Sequence, residues 1–154
     1  MYLFPELWYV TADCPDDWRR HTGSCDLFVT RYPMEWIDAL TFCKLHGGKL
    51  AEVESRVENN FLMSQAKLLG VTRLINYTFS SEVCNLKVEL PISNLDCGPR
   101  NHRRFTYLAW APGEPNNYQT GEHCLGLYDI LNEAWTDGKC NFTLSFICEK
   151  DVYV

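Results

Sequence analysis

Glu114, Asn116, Asn117 and Glu122 fall within nine residues of the stretch WAPGEPNNYQTGEHC, which runs from Trp110 to Cys124. Asp137 follows shortly after, in WTDGKC. Carboxylates and amide carbonyls are oxygen acceptors, and the asparagines add N–H donors. The two prolines and two glycines of the stretch exclude a long helix or strand. A stiff, irregular loop of this kind can hold a cation, hold a polar ligand or simply build a turn. Composition alone leaves all three open.

Catalysis is the least supported use of these groups. Glu114, Glu122 and Asp137 offer a carboxylate pair of the glycosidase type on paper. No local motif assembles a Ser–His–Asp or Cys–His set, and His21, His46, His102 and His123 lack metal-ligand spacing. We therefore expect a binding protein and not an enzyme.

The rest of the chain must position that loop. With 154 residues, 46% hydrophobic and 22% charged, it has the size and composition of one globular domain. Its formal net charge is −6, and its one basic cluster is PRNHRR, from Pro99 to Arg104. Nucleic-acid binding relies on clustered Lys and Arg, so a nucleic-acid partner is disfavoured. No apolar run is long enough to span a membrane.

The eight cysteines stand at 14, 25, 43, 84, 97, 124, 140 and 148, with no C-x-x-C pair. This favours a disulfide framework, and hence a secreted, extracellular protein, over structural zinc. The sequons at Asn76 and Asn141 point the same way, towards a glycoprotein. The opening MYLFPELWYV has an acidic Glu6, a proline and no basic flank, so it is a poor signal peptide. The expectation is a mature secreted form.

Residues 1–32 read as strand-rich. LWYVTADC and CDLFVTRY flank a turn at HTGS, and a hairpin stapled by Cys14 and Cys25 is the simplest arrangement. Residues 33–46 read as a helix with Pro33 in its first turn and Trp36, Ala39, Leu40 and Cys43 on one face. Gly47 and Gly48 end it. A second helix begins at Ser55, where SRVE is a capping-box pattern, and carries Val57, Phe61, Leu62, Gln65 and Leu68 as its stripe. VTRLINYTF, HCLGLYDI, the AWTDG region and LSFICEK read as strands. The polar stretch between Ser80 and Arg104 reads as a long loop region. Early helices followed by short strands and long loops predict an α+β fold.

The order WIDALTFC, GGKL, WAPGEPNN, GEHC, WTDGKC and FICEK resembles the C-type lectin-like domain family, and the match covers nearly the whole chain. The resemblance implies one domain over 1–154 with a core at 14–149, two helices with short antiparallel sheets, and a long loop region. It implies the disulfides Cys14–Cys25, Cys43–Cys148 and Cys124–Cys140. Cys84 and Cys97 fall outside the common set; they bridge within the polar loop or tie two chains. The first is expected, because both lie in one loop-rich stretch.

In sugar-binding members of this family a calcium ion sits on the loop. Carried over, its ligands are Glu114, Asn116, Glu122 and Asp137, with a cis peptide at Glu114–Pro115. Calcium takes six to eight oxygens, and two sugar hydroxyls can supply some of them. EPN resembles the mannose, glucose and N-acetylglucosamine group, as in soluble single-domain invertebrate lectins of mollusc type used in defence or agglutination. Tyr118, His123 and Tyr128 stand ready to add stacking or hydrogen bonds.

Two departures matter. Thr136 replaces the asparagine of the family's WND, and a hydroxyl is a weaker calcium ligand than an amide carbonyl. Calcium-dependent and calcium-independent sugar binding therefore both stay open. Without metal, the acetamido group of an N-acetylhexosamine is an attractive handle, since it offers one donor and one acceptor. The family's WIGL signature is also missing near VTRLINYT. A protein- or mineral-binding member without a sugar site is the rival reading. Glycan partners and a dimer, possible through Cys84 or Cys97, complete the expectations, because single lectin sites gain from multivalency.

Overall fold

The computed structural model describes residues 13–78, 107–128 and 134–152, without the side chains of 75–78. The expected loop with Cys84 and Cys97 lies outside these residues, as does the basic cluster.

The chain opens with β1 (Arg19–His21) and β2 (Ser24–Met34), paired antiparallel from His21↔Ser24 outward. The HTGS turn joins them as expected. Of LWYVTADC only Asp13 and Cys14 lie in the described residues, and neither is in a strand; the hairpin's first arm is Arg19–His21 instead. The Cys14–Cys25 bridge nevertheless forms.

Helix α1 spans Trp36–Leu45, capped at Glu35. Pro33 is therefore not in its first turn but in the last residues of β2. The fixed φ of proline also fits extended backbone, so its position cannot by itself date the start of a helix. Ala39 and Cys43 are buried, and Trp36 and Leu40 pack beside them. Gly47 then takes a φ of +75° and turns the chain out of the helix. At Gly48 a Cβ would lie 2.7 Å from the Glu149 carbonyl oxygen, so only glycine lets β3 (Lys49–Leu50) approach.

Helix α2 spans Arg56–Leu68. Ser55 is its N-cap and accepts the Glu58 N–H at 3.2 Å, as the sequence predicts. The Glu58 carboxylate reaches the Glu54 N–H at 2.8 Å. The buried face is Asn59, Leu62, Met63 and Ala66. The predicted stripe is thus rotated: Val57 is 66% and Leu68 77% exposed. Asn59 can lie on this buried face because its carbonyl oxygen accepts the Trp135 indole N–H at 2.8 Å.

The remaining strands are β4 (Arg73–Thr78), β5 (Cys124–Tyr128), β6 (Ala134–Gly138) and β7 (Leu144–Asp151). All of them join one sheet in the order β1-β2-β7-β4-β5-β6, with β3 also on β7. Separate antiparallel sheets were expected, but β4 and β7 pair in parallel at Leu74↔Ser145 and Ile75↔Phe146. Strand direction depends on long connections that short alternating runs do not encode. Along β7, Phe146 and Cys148 face α1, while Ile147 lies in the cluster under α2 with Leu62, Leu74, Leu127 and Trp135. Alternation on β7 therefore buries both sheet faces, one under each helix.

Cys43–Cys148 ties α1 to β7 across 105 residues of sequence. In the chain-entropy account such a closure stabilises by roughly 4–5 kcal/mol. Cys124–Cys140 joins the start of β5 to the end of the β6 segment, beside the loop.

Candidate functional site

Trp135 is the anchor of the loop. It is buried, donates its backbone N–H to Ala109 at 2.7 Å, and accepts from Ala111 N–H at 2.8 Å. The rings of Tyr107 and Trp110 meet it edge-on, with centroids 5.5 and 5.8 Å away. Residues 107–111 are thereby fixed along β6. Gly113 turns the chain at a φ of +89°, and Glu114 N–H closes the turn on the Ala111 carbonyl at 2.9 Å. The Glu114–Pro115 bond is cis, as the resemblance implied.

The oxygens then organise the rest of the loop. Asp137 Oδ1 accepts the Asn116 N–H at 3.0 Å, and Oδ2 accepts the Asn117 N–H at 2.6 Å. Asn116 donates its side-chain amide to Glu114 Oε1 at 2.8 Å and accepts the Tyr118 N–H at 2.8 Å. Glu122 Oε2 accepts the same Tyr118 N–H at 2.8 Å, and Asn117 Oδ1 accepts the Glu122 N–H at 3.1 Å. Asn117, Gln119 and Thr120 sit at positive φ, and Thr120 N–H reaches the Asn117 carbonyl at 2.8 Å. Asparagine tolerates that region and caps its own turn.

The structure thus brings Glu114, Asn116, Glu122 and Asp137 into one network. Tyr118, 65% exposed, projects from its centre. Tyr128 folds back along β5: a Cβ on Gly126 would overlap its ring, and its hydroxyl reaches towards Gly138. Burial raises the Tyr128 phenol pKa; Arg73 opposes that shift and Glu122 adds to it. His123 is half-buried, and its Nδ1 has no hydrogen-bond partner. Thr136 does not replace the missing asparagine; its hydroxyl donates to the Asp137 main-chain oxygen at 3.0 Å.

Burial raises the Glu114 pKa above the usual carboxylate range; contact with the Asp137 carboxyl adds to the rise, and the Thr136 hydroxyl opposes it. Glu114 Oε2 is buried without a hydrogen bond.

A calcium ion needs six to eight oxygens, and the acids of the loop do not stand as a preformed ligand set in this arrangement. Both Asp137 oxygens, Asn116 Oδ1, Glu114 Oε1 and Glu122 Oε2 already accept the loop's own N–H groups. Among the described residues, no three His, Cys, Asp or Glu side chains converge as a ligand set.

Asn141 is exposed, just after Cys140. Asn76 lies in β4, where the β4–β5 register slips between Ile75 and Tyr77.

The Lectin C-type domain family model matches residues 32–150. The chain belongs to the C-type lectin family. Perlucin of Haliotis laevigata is 30% identical over 139 residues, covering 90% of this chain and 83% of perlucin. The galactose-specific lectin nattectin of Thalassophryne nattereri is 28% identical over 143 residues, covering 92% of this chain and 83% of nattectin. A calcium-independent type II antifreeze protein superposes with a TM-score of 0.73 at 20% identity, over 92% of this chain and 96% of that one. That last likeness shows the shared fold alone, and a fold that serves unlike tasks. The family and its relatives are lectins and binding proteins, not enzymes. Among the described residues, no helix is long and apolar enough to cross a membrane.

Two contributors escaped the sequence reading. Asn59 orients Trp135 from 76 residues away, which no local pattern signals. Asn117 was visible as an oxygen-bearing residue, but its part in holding Glu122 depends on the turn's folded shape.

Proposed function

We propose that the chain is a secreted lectin whose loop of 110–124 binds a terminal sugar without a metal, preferring N-acetylhexosamines. One observation carries this reading: exposed Tyr118 is held at its backbone by both Asn116 and Glu122, at 2.8 Å each. An aromatic face fixed beside a carboxylate and an amide suits a pyranose, whose C–H face packs on a ring while its edge hydrogen-bonds. In an N-acetylhexosamine, the acetamido N–H donates to the Glu122 carboxylate, and the acetamido carbonyl accepts from the exposed Asn116 amide. A hydrogen bond to an ionised carboxylate is about twice as strong as a neutral one. Lectin relatives support carbohydrate binding in general, and the EPNN motif supports the glucose- and mannose-type hydroxyl pattern over galactose.

Single sites of this kind are weak, so a dimer that engages two glycans is part of the proposal, with agglutination of sugar-bearing cells in defence as its use.

A crystal soaked with N-acetylglucosamine tests this. The sugar should lie on Tyr118 with its acetamido group between Asn116 and Glu122. Binding of a protein or a mineral surface, with no glycan bound at any concentration, would transfer the loop to the rival reading.

A further inference from the structure

The fold treats the two sequons, Asn76-Tyr77-Thr78 and Asn141-Phe142-Thr143, differently. Such a triplet serves on the surface loops of secreted proteins, where a bulky glycan has room.

The first sequon lies wholly inside β4. That strand stands between β7 and β5 in the sheet. It pairs with β7 at Leu74 and Ile75, and with β5 at Tyr77 and Thr78. The backbone is thus taken up by the sheet both before and after Asn76.

The second sequon lies on a turn between β6 and β7. The Phe142 N–H closes that turn on the Lys139 carbonyl at 3.1 Å, so Cys140 and Asn141 are its central residues. Asn141, Phe142 and Thr143 are all exposed, and none of them is in a strand. The base of the turn is pinned. Cys140 is bonded to Cys124, and its carbonyl accepts the Trp36 N–H at 3.1 Å. A fixed surface turn presents the acceptor amide without any strand having to open.

Phe142 adds a separate observation. An aromatic ring left in water forgoes the gain of burial. Phe142 is 45% exposed, although one edge of its ring lies 4.0 Å from where a Gly138 Cβ would stand. Ile37, next to the Trp36 that the turn holds, is 54% exposed. The C–H face of a sugar packs well on such a ring.

We propose that Asn141 carries an N-linked glycan whose first N-acetylglucosamine lies over the Phe142 ring, and that Asn76 stays unmodified. The donor is an oligosaccharide held on a lipid pyrophosphate and delivered by a transferase of the secretory route. A bond forms between Asn141 Nδ2 and the anomeric carbon of the sugar. The bond from that carbon to the pyrophosphate oxygen breaks, and the lipid pyrophosphate leaves with the bonding electrons. The amide gives up one proton, and nothing is oxidised or reduced. Thr143 supplies the hydroxyl that the triplet requires. This inference rests on the secretion proposed above and not on sugar binding by the 110–124 loop.

The whole chain, secreted from eukaryotic cells behind a supplied leader, provides the test. Intact mass before and after peptide N-glycosidase should show one glycan lost. Peptide mapping should find the aspartate that this enzyme leaves at position 141, with asparagine still at 76. T143A should lose the glycan and T78A should keep it; mapping of the unaltered chain decides the site even where T78A fails to fold. NMR contacts should join the Phe142 ring protons to the first sugar. The leader is supplied, so occupancy is read apart from natural export, and a glycan panel on the same preparation reads the loop. A glycan at Asn76, at both sites or at neither, or one at Asn141 without contact to Phe142, overturns the proposal.

Discussion

Asp137 and Asn117 are joined by a 2.6 Å hydrogen bond from the Asn117 N–H to the Asp137 carboxylate. Its other oxygen holds the Asn116 N–H. Asp137 therefore works as a brace that fixes the loop to β6, and the groups proposed to meet a sugar take their positions from it.

Removing the brace should collapse the site. Hydrogen bonds to an ionised group are worth about 1.5–3 kcal/mol each. D137A should abolish measurable glycan binding and lower stability by about 2–4 kcal/mol, checked by glycan titration and denaturant unfolding. Unchanged sugar affinity in a folded D137A protein would show that the loop holds its shape by other means.

The Asn59–Trp135 contact makes a remote prediction. N59A leaves the buried Trp135 indole N–H without its acceptor and should cost about 1–3 kcal/mol. Because Trp135 anchors residues 109–111, glycan affinity should fall as well, although Asn59 is not in the loop. Chemical denaturation and a glycan titration on one preparation read both effects. A loss of stability with sugar affinity intact would separate the anchor from the site.

The sequence shows the loop more plainly than it shows what supports it. The EPNN motif, the cysteine order and Ser55 as a helix cap are local patterns, and all appear in the structure. Asn59 stands outside the stripe that the sequence predicts for the second helix, and its burial depends on an indole far along the chain. Pro33 reads as a helix start although it ends a strand. The parallel β4–β7 pair follows from long connections, and the burial of Asp26 depends on what packs over β2. What escaped is long-range in each of these cases but Pro33, where one residue type suits two local structures.

Acid and alkali should act on Asp26 in a defined direction. Its folded pKa, about 7, lies above the ordinary 3.8. The folded state therefore holds this proton more tightly, so the stabilisation is complete below about pH 4 and is lost as pH rises through 7. D26N mimics the protonated form. It should raise stability over wild type by roughly 1–3 kcal/mol at pH 8 and by little at pH 5. Thermal unfolding of both proteins at the two values checks this. Equal destabilisation of D26N at both would mean that the ionised carboxylate is needed by the fold.

The central claim is sugar binding on a loop whose oxygens hold one another in place of a metal. A panel of terminal monosaccharides, run with calcium and then with EDTA, tests it most directly. The account predicts binding of N-acetylhexosamines above plain mannose, with equal affinity in both conditions. Binding that vanishes in EDTA, or equal binding of mannose and N-acetylhexosamines, would contradict it.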